Sequence, residues 1–375
     1  MTLDEQLAAL SAPLLERLSA RGFDPERLKA WAKTVGVDRD RRNRLAGRVE
    51  PPRPEDIESM PPAGSADLDR LSKLGSEALA RGEVALCVLA GGMATRMGGV
   101  VKALVEALPG RTFLDLRLAE NDRLKRVSGG KPTPLWLMTS EATNEKIRGA
   151  LGDRLDGENT ATFEQFVSLR LTPEGTLFVD EKGEPSVYAT GHGDLPDALK
   201  KSGLLRRFID RGGRYVWLAN LDNLGATVDP AILGWHIEHG GRATIEVVDK
   251  VGSDKGGGPI RWNDRLVVAE EPRMPIGFDA TSVPVFSTNT FLVGAEALEH
   301  LAMDWTYVEV EKKTGDRKAV QFERILNEMS TALEPRLLRV PREGVEARFL
   351  PVKDMAELER RGPEIEAIAK ARGFL

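Results

Sequence analysis

The stretch VALCVLAGGMATRMGGVVK, at residues 84–102, joins an apolar run to a loop that begins with two glycines. The apolar run predicts a buried strand. Gly91 and Gly92 lack a Cβ, so a ligand can closely approach the main chain and its N–H groups. Arg96 and Lys102 add two positive charges beside this backbone. The stretch therefore predicts a cradle for a polyanion that carries a flat base, a nucleoside triphosphate.

The spacing of the glycines excludes the two common nucleotide-binding loops. The dinucleotide fingerprint is Gly-x-Gly-x-x-Gly, and position 93 holds Met93 instead of glycine. The loop of nucleotide hydrolases has four residues between its glycines and then a lysine. Here five residues separate Gly92 from Gly98, and Gly99 stands where that lysine would be. The stretch therefore predicts a third kind of nucleotide-binding loop. The alternative is an ordinary turn between a strand and a helix with solvated cations nearby.

The composition is that of a globular protein without a basic surplus. The chain has 375 residues, a formal net charge of −5 and one cysteine, Cys87. We expect one large α/β domain with an appended segment, or two domains, and no nucleic-acid partner. A single cysteine excludes an intramolecular disulfide and a multi-cysteine metal site. The acidic N-terminus lacks an apolar export core, and the longest apolar run, Val84–Ala90, is too short for a bilayer, so we expect a cytoplasmic protein without a membrane partner.

The chain divides into an N-terminal segment and a larger domain. Residues 1–65 combine leucines at helical spacing, whose stripe we expect to pack on the main domain, with a proline-rich connector. Residues 66–375 begin with a predicted helix over 67–81 and then alternate helix and strand patterns. This alternation predicts an α/β fold with a mostly parallel or mixed sheet covered by helices. Ligands of such sheets bind beyond the carboxyl ends of strands, where Gly91 and Asp222 both fall.

Further segments carry polar side chains suited to a nucleotide or a sugar, although each has an ordinary structural explanation when taken alone. Gln165 offers a donor and an acceptor that match the edge of a uracil. Asp222 follows a predicted buried strand and can hold Mg²⁺ against phosphate oxygens; otherwise it caps a helix or a turn. Ser140, after another predicted strand, is expected to cap the next helix. The remaining segments are Thr190-Gly191-His192-Gly193-Asp194, Phe286-Ser287-Thr288-Asn289-Thr290 and Arg348–Lys353.

In this order, the segments resemble those of the UTP–sugar-1-phosphate uridylyltransferases, also called UDP-sugar pyrophosphorylases. Asn220–Asp229, Gly191–Asp194 and Phe349–Lys353 look like the glucose branch of that family. Leu89–Gly92 and Met138–Thr143 are more similar to the N-acetylglucosamine branch. The resemblance extends over most of the chain.

The resemblance implies a Rossmann-like nucleotidyltransferase fold of the glycosyltransferase-A-like kind, a mixed sheet flanked by helices. The N-terminal helical segment with its proline-rich connector, residues 1–65, would precede a catalytic domain over residues 66–375. No C-terminal β-helix domain is expected, because the chain continues for only 22 residues after Lys353. An oligomer built through that domain is therefore not expected. We expect a monomer or a small homo-oligomer.

The resemblance also implies a role for each matching residue. Asp222 would bind Mg²⁺, the implied cofactor. The residues that would hold the nucleotide, with Gln165 reading the uracil, are Ala90, Gly91, Gly92, Gln165 and Gly191. Those that would contact the sugar or its phosphate are His192, Asn220, Lys255 and Asn289. Those that would face the phosphates during catalysis are Arg96, Lys102 and Lys353.

The implied reaction transfers the uridylyl group of UTP to a sugar 1-phosphate, with glucose 1-phosphate expected, and releases pyrophosphate by Mg²⁺-assisted in-line attack. Two alternatives remain open: a UDP-N-acetylglucosamine or broad-specificity pyrophosphorylase, and a non-catalytic nucleotide-sugar sensor. Two departures from the family pattern concern lysines. Val100-Val101 precede Lys102 where the glucose branch has Gly-Pro. Lys255, which precedes Gly256-Gly257, is shifted by one position from the lysine that precedes paired glycines in the family.

Overall fold

Eight strands form the central sheet of the computed structural model, which describes residues 1–94, 97–252, 254 and 256–375. In chain order they are β1 (Ile57–Ser59), β2 (Val84–Leu89), β3 (Leu135–Thr139), β4 (Thr160–Glu164), β5 (Tyr215–Asn220), β6 (Ala243–Asp249), β7 (Val285–Gly294) and β8 (Arg336–Arg339). Their order across the sheet is β1-β8-β6-β7-β5-β2-β3-β4. Strand β7 is antiparallel to both neighbours and the other pairs are parallel, which confirms the predicted mixed sheet.

Helices flank this sheet. None of those in the described ranges is long and apolar enough to cross a membrane. They are α1 (Leu3–Ala8), α2 (Ala12–Ala20), α3 (Pro25–Ala32), α4 (Arg39–Asn43), α5 (Ala66–Arg81), α6 (Phe113–Val127), α7 (Asn144–Leu151), α8 (Leu195–Ser202), α9 (Leu204–Asp210), α10 (Pro230–Glu238), α11 (Ala295–Glu299), α12 (Ser330–Leu333) and α13 (Met355–Ala371).

The two faces of the sheet are covered by different helices, because successive side chains of a buried strand point to opposite sides. In β2, Leu86 and Val88 pack on the side of α5, α6, α10 and α13. Ala85 and Cys87 pack on the other side with α8, α9 and α11. Cys87 is therefore a core side chain, and burial raises the pKa of its thiol. The continuous apolar run of β2 thus reflects a strand buried on both faces.

The N-terminal helices pack on the main domain through an apolar cluster of their own. Leu7, Leu18 and Leu28 of α1, α2 and α3 are buried there against Val167 and Phe322. The expected packing of the leucine stripe on the main domain is confirmed, although two helices, α1 and α2, share the stripe and Leu28 of α3 adds to the cluster.

The proline-rich connector contributes a strand to the central sheet. In β1, Ile57 pairs with Leu337 of β8, and the two strands are parallel. The boundary predicted after residue 65 therefore follows the first strand of the sheet. Outside the central sheet, Gly258–Trp262 is the middle strand of a three-stranded sheet, between Val49–Glu50 and Arg265–Ala269. The other short strands pair as Met93–Ala94 with Val100–Val101, Glu106–Leu108 with Arg111–Thr112, Val167–Leu169 with Val187–Ala189, and Val308–Thr314 with Arg317–Glu323.

Helices α5 and α10 cross with their backbones in direct contact. A Cβ added at Gly75 would lie 1.8 Å from the Pro230 carbonyl oxygen, and one at Gly234 would lie 1.9 Å from that of Leu71. Helix α5 leads into β2, and α10 follows the loop that leaves β5. The two glycines therefore set how closely the elements around the two central strands can pack.

We expect Gly234→Ala to lower the free energy of unfolding by about 2–3 kcal/mol, because the added methyl would force the backbone of α5 away. Urea unfolding followed by circular dichroism would measure the effect. Gly149→Ala is a matched control on α7, since a Cβ added at Gly149 would have none of the atoms that the structure describes within 4 Å. That control should be neutral or stabilising by up to about 1 kcal/mol. Equal stabilities of the two variants would contradict the close helix contact.

Candidate functional site

The candidate site lies where the carboxyl ends of the central parallel strands meet. Leu89 at the end of β2 lies beside Asn220 at the end of β5, and Met138 of β3 lies on its other side. The loops that follow these strands therefore leave the sheet side by side, as such sheets require of a ligand site. A cavity of about 350 Å³ opens there, lined by Leu89, Gly91, Gly92, Lys102, Met138, Gln165, His192, Asn220, Leu221 and Asp222.

Hydroxyl groups after β3 hold the start of the glycine loop. The Ser140 Oγ donates to the Gly91 carbonyl oxygen at 2.9 Å, and the Thr143 Oγ1 donates to that of Ala90 at 3.3 Å. The expectation that Ser140 caps the next helix is wrong, because α7 begins at Asn144 with Thr143 in the cap position. The Ser140 hydroxyl bonds to the loop instead, since the parallel pairing of β2 and β3 brings Gly91 next to it.

The two glycines of the loop have different roles. A Cβ on Gly91 would lie 2.4 Å from the Gln165 Oε1, whereas one on Gly92 would have no atom of the described residues within 4 Å. Gly91 therefore makes room for the Gln165 side chain. The open space at Gly92 is where a ligand can come close to the main chain.

Lys102 and Asp222 form an ion pair in the lining of the cavity. The Lys102 Nζ lies 2.5 Å from the Asp222 Oδ2, and both side chains are mostly buried. The antiparallel pairing of Met93 with Val101 sets the position of the lysine. The valine pair before Lys102 thus forms a short β-ladder, a conformation that β-branched residues favour. In this pair the ammonium neutralises the carboxylate, and each group remains available to a substrate phosphate or a cation.

A buried arginine binds the main chain of the loop that follows β5 and carries Asp222, the Asp222 loop. Arg117 on α6 has no exposed surface and donates to the carbonyl oxygens of Asn220 at 2.8 Å and Asn223 at 2.6 Å. Its charge is paired with Glu120 at 2.7 Å. Sequence reasoning missed this residue, because an Arg–Glu pair three residues apart on a helix usually lies on the surface. The leucines on both sides of Arg117 were the available signal.

A second buried polar group ties the same loop to the predicted Arg348–Lys353 segment. Asn223 donates from Nδ2 to the Arg348 carbonyl oxygen at 3.0 Å and accepts from the Leu350 N–H at 2.7 Å. The Arg348 guanidinium forms two hydrogen bonds with Glu246, at 2.8 and 2.6 Å. Arg348 is therefore structural. Lys353 is exposed and lies outside the cavity lining.

Gln165 forms one wall of the cavity. Its side chain is buried, and its backbone N–H donates to the Thr139 carbonyl oxygen at 2.9 Å. Within the described ranges its carboxamide has no hydrogen-bond partner, although it lines the cavity. A buried carboxamide with unused donor and acceptor atoms is suited to the edge of a base.

His192 also lines the cavity and is fixed as a donor. Its Nδ1 accepts from the Leu326 N–H at 2.9 Å, and burial lowers the pKa of its imidazole. The ring is therefore neutral and carries its hydrogen on Nε2. Gly191 has a φ of +107°, and a Cβ there would lie 2.4 Å from the Arg324 carbonyl oxygen. The close packing of two loops thus explains this glycine.

Asp194 joins the histidine loop, residues 190–194, to the segment that carries Gln165. Its Oδ2 accepts from the Thr190 hydroxyl at 2.7 Å and from the Phe166 N–H at 3.1 Å. Burial raises the pKa of its carboxyl to about 7. The segment that carries Gln165 and the loop around His192 are therefore held as one unit.

Asn289 lies in an irregular part of β7 next to the site. It has a φ of +59°, and the pairing of β6 with β7 shifts register around it. Its Nδ2 donates to the Asn220 Oδ1 at 2.8 Å, while its own Oδ1 is buried without a partner among the described residues. Asparagine tolerates this backbone conformation better than most residues. The arrangement leaves the Asn289 Oδ1 buried next to Asn220, which lines the cavity.

The structure brings seven of the predicted site residues into one cavity lining: Gly91, Gly92, Lys102, Gln165, His192, Asn220 and Asp222. Ala90 is buried behind the loop. Gly191, Asn289 and Lys353 lie outside the lining. Arg96 and Lys255 lie outside the described residues.

Comparisons with known proteins agree with this geometry. The family model described as UTP–glucose-1-phosphate uridylyltransferase matches residues 46–359. A protein of that name from Hordeum vulgare is 30% identical over 324 residues, which cover 82% of this chain and 64% of the relative. One from Saccharomyces cerevisiae is 31% identical over 74% of this chain and 58% of the relative. The chain thus spans about three fifths of the length of these relatives.

Solved structures with the same fold come from both branches. A UDP-glucose phosphorylase from Trypanosoma brucei has a TM-score of 0.72 and 22% identity, covering 92% of this chain and 76% of that one. A UDP-N-acetylglucosamine pyrophosphorylase from Trypanosoma brucei has a TM-score of 0.68 and 21% identity, covering 96% and 84%. The family model covers most of the sequence. The chain belongs to the UTP–glucose-1-phosphate uridylyltransferase family.

Proposed function

We propose that the chain transfers the uridylyl group of UTP to a sugar 1-phosphate, with glucose 1-phosphate as the preferred acceptor. The cavity in which Gln165, Gly92, Lys102 and Asp222 meet carries this proposal. It combines a carboxamide suited to a base, an open backbone and a lysine–carboxylate pair. The names of the family model and of the curated relatives support the reaction and the choice of glucose.

The chemistry needs charge neutralisation more than bond activation by the protein. A phosphate oxygen of the sugar 1-phosphate bonds to the α-phosphorus of UTP. The bond from that phosphorus to the bridging oxygen breaks, and pyrophosphate leaves with the electron pair. Both reactants are anions. The Lys102 ammonium, the His192 Nε2–H and the Gly92 N–H are the groups of the cavity that can offset their repulsion and hold them in line.

Magnesium fits the donor set of the site. Nowhere in the described ranges do three or more His, Cys, Asp or Glu residues form a metal cluster. Mg²⁺ is commonly held by one or two carboxylates, with substrate phosphates and water as the other ligands. The partly exposed Asp222 carboxylate is therefore sufficient as the protein's ligand. A bound ion would offset charge on the phosphates.

The other predicted ligands extend this proposal. Asn289 would contact the sugar beside Asn220, to which it is hydrogen-bonded. Arg96, Lys255 and Lys353 would contact phosphates. The exposed position of Lys353 leaves its ammonium accessible to a substrate.

The acceptor is tested by pyrophosphate release with UTP, Mg²⁺ and a panel of glucose, galactose and N-acetylglucosamine 1-phosphates. We expect the highest kcat/KM with glucose 1-phosphate. A higher value with N-acetylglucosamine 1-phosphate, or similar values throughout, would assign the chain to the alternative specificities. Binding of UDP-glucose without turnover of any acceptor would identify a sensor.

We expect Lys102→Met to lower kcat about 100-fold, because the variant keeps the apolar stem and loses the charge that faces the phosphates. Initial rates of pyrophosphate release would measure the loss. Lys370→Met is a matched control, since Lys370 is an exposed lysine of α13 that pairs with Glu366. A kcat of Lys102→Met close to that of the control would contradict the proposed site.

Because the His192 imidazole is buried, we expect its protonation to make the free energy of unfolding depend on pH. Burial lowers the pKa of the folded-state imidazole below 6.5, so stability is fully present above about pH 6.5 and falls as the pH drops. His192→Asn can still accept from the Leu326 N–H but does not titrate. We expect the loss of stability between about pH 6.5 and 5 to be smaller in this variant, measured by urea unfolding. Buried His236 is present in both proteins and acts as an internal control. Identical pH profiles would contradict the assigned environment.

A further inference from the structure

We propose that Arg21, in the N-terminal helical segment, is a positioning residue for recognition of the nucleobase and acts through Gln165. The proposal rests on the proposed function, in which Gln165 reads the base. Arg21 does not line the nucleotide cavity. It contacts Glu164, immediately before Gln165, and Val167, two residues after it, and it thereby gives the N-terminal segment a role in the site.

Arg21 contacts the chain on both sides of Gln165, at the end of β4 and at the start of the strand Val167–Leu169. Its Nε donates to the Glu164 Oε2 at 2.7 Å, and its carbonyl oxygen accepts from the Val167 N–H at 3.2 Å. The ion pair is about three quarters buried, with side-chain exposures of 27% and 23%. Glu164 is also held by the Asn144 Nδ2 at 3.0 Å. Arg21 thus holds the chain both before and after Gln165.

The turn that follows α2 also packs on the residue next to Gln165. Gly22 has a φ of +76°, and a Cβ there would lie 2.8 Å from the Phe166 ring. The Phe166 N–H and carbonyl oxygen bond to the histidine loop, through Asp194 at 3.1 Å and Thr190 at 3.0 Å. The 164–167 segment is therefore held between the N-terminal turn and the histidine loop.

Small displacements of this segment would disturb the base-reading carboxamide. The Gln165 Oε1 fits closely against Gly91, with no room for even a methyl group between them. A second cavity, of about 410 Å³, lies behind the same segment and is lined by Arg21, Glu164 and Phe166 among other residues. The segment therefore has space to relax into when Arg21 is removed. On the side of this cavity, the Arg21–Glu164 ion pair restrains the end of β4.

Nucleotide affinities measured by calorimetry test the proposal without requiring turnover. UTP and CTP differ at the base edge that a carboxamide reads, so the ratio of their affinities reports the position of Gln165. We expect Arg21→Ala to reduce the preference for UTP about tenfold, the effect of one lost charge-assisted hydrogen bond. We expect Gln165→Ala to reduce it as much, and the double variant to show no further loss. Glu164→Gln, which keeps the shape of the side chain, provides a second route if Arg21→Ala does not fold.

Arg148→Ala is the matched control. Arg148 lies across the second cavity and donates to the Thr162 Oγ1 at 3.2 Å, on the same strand but away from Gln165. It should keep the wild-type ratio. A folded Arg21→Ala with that ratio, an equal loss in Arg148→Ala, or additive losses in the double variant would overturn the proposal. Failure of the proposed function is distinguishable, because wild type would then prefer UTP in binding yet release no pyrophosphate.

Discussion

The parallel pairing of β2 with β5 is the constraint on which the site depends. Because Leu89 lies beside Asn220, the glycine loop and the Asp222 loop leave the sheet at one edge. The contact between Lys102 and Asp222 follows from this register, since the two residues are 120 positions apart in the chain. A shift of this pairing by one residue would turn the strand's side chains to the opposite faces and separate the loops.

Buried charges hold these loops in shape. Arg117 binds the carbonyl oxygens of the Asp222 loop, and Arg348 pairs with Glu246 beneath it. Burying a charge is costly unless it is paired and fully hydrogen-bonded, and both arginines meet this condition with a carboxylate and main-chain carbonyls. Irregular backbone at the end of a strand has few regular hydrogen bonds of its own. The arginines supply them, so the loop can present Asp222 to the cavity in one conformation.

Much of the fold and part of the site could be predicted because they depend on local patterns. The apolar runs gave the positions of β2 and β5, and the leucine spacing predicted the N-terminal helices and their packing. Ser140 was wrongly expected to cap a helix, because its hydroxyl has a partner from another strand. The strand in the proline-rich connector was missed for the same reason: β1 is short and is stabilised by β8, far along the chain.

Several features can be read from the local sequence: paired glycines after a buried strand, a carboxylate after another, and amides and lysines whose order resembles one family. Those features are local, and their identity does not depend on folding. How these features combine depends on the tertiary structure. It places Gly91 against the Gln165 side chain and leaves Gly92 open, it pairs Lys102 with Asp222, and it places Arg21 against the residues around Gln165. These relations depend on distances between residues remote in sequence, which strand register and helix packing set and no local pattern encodes.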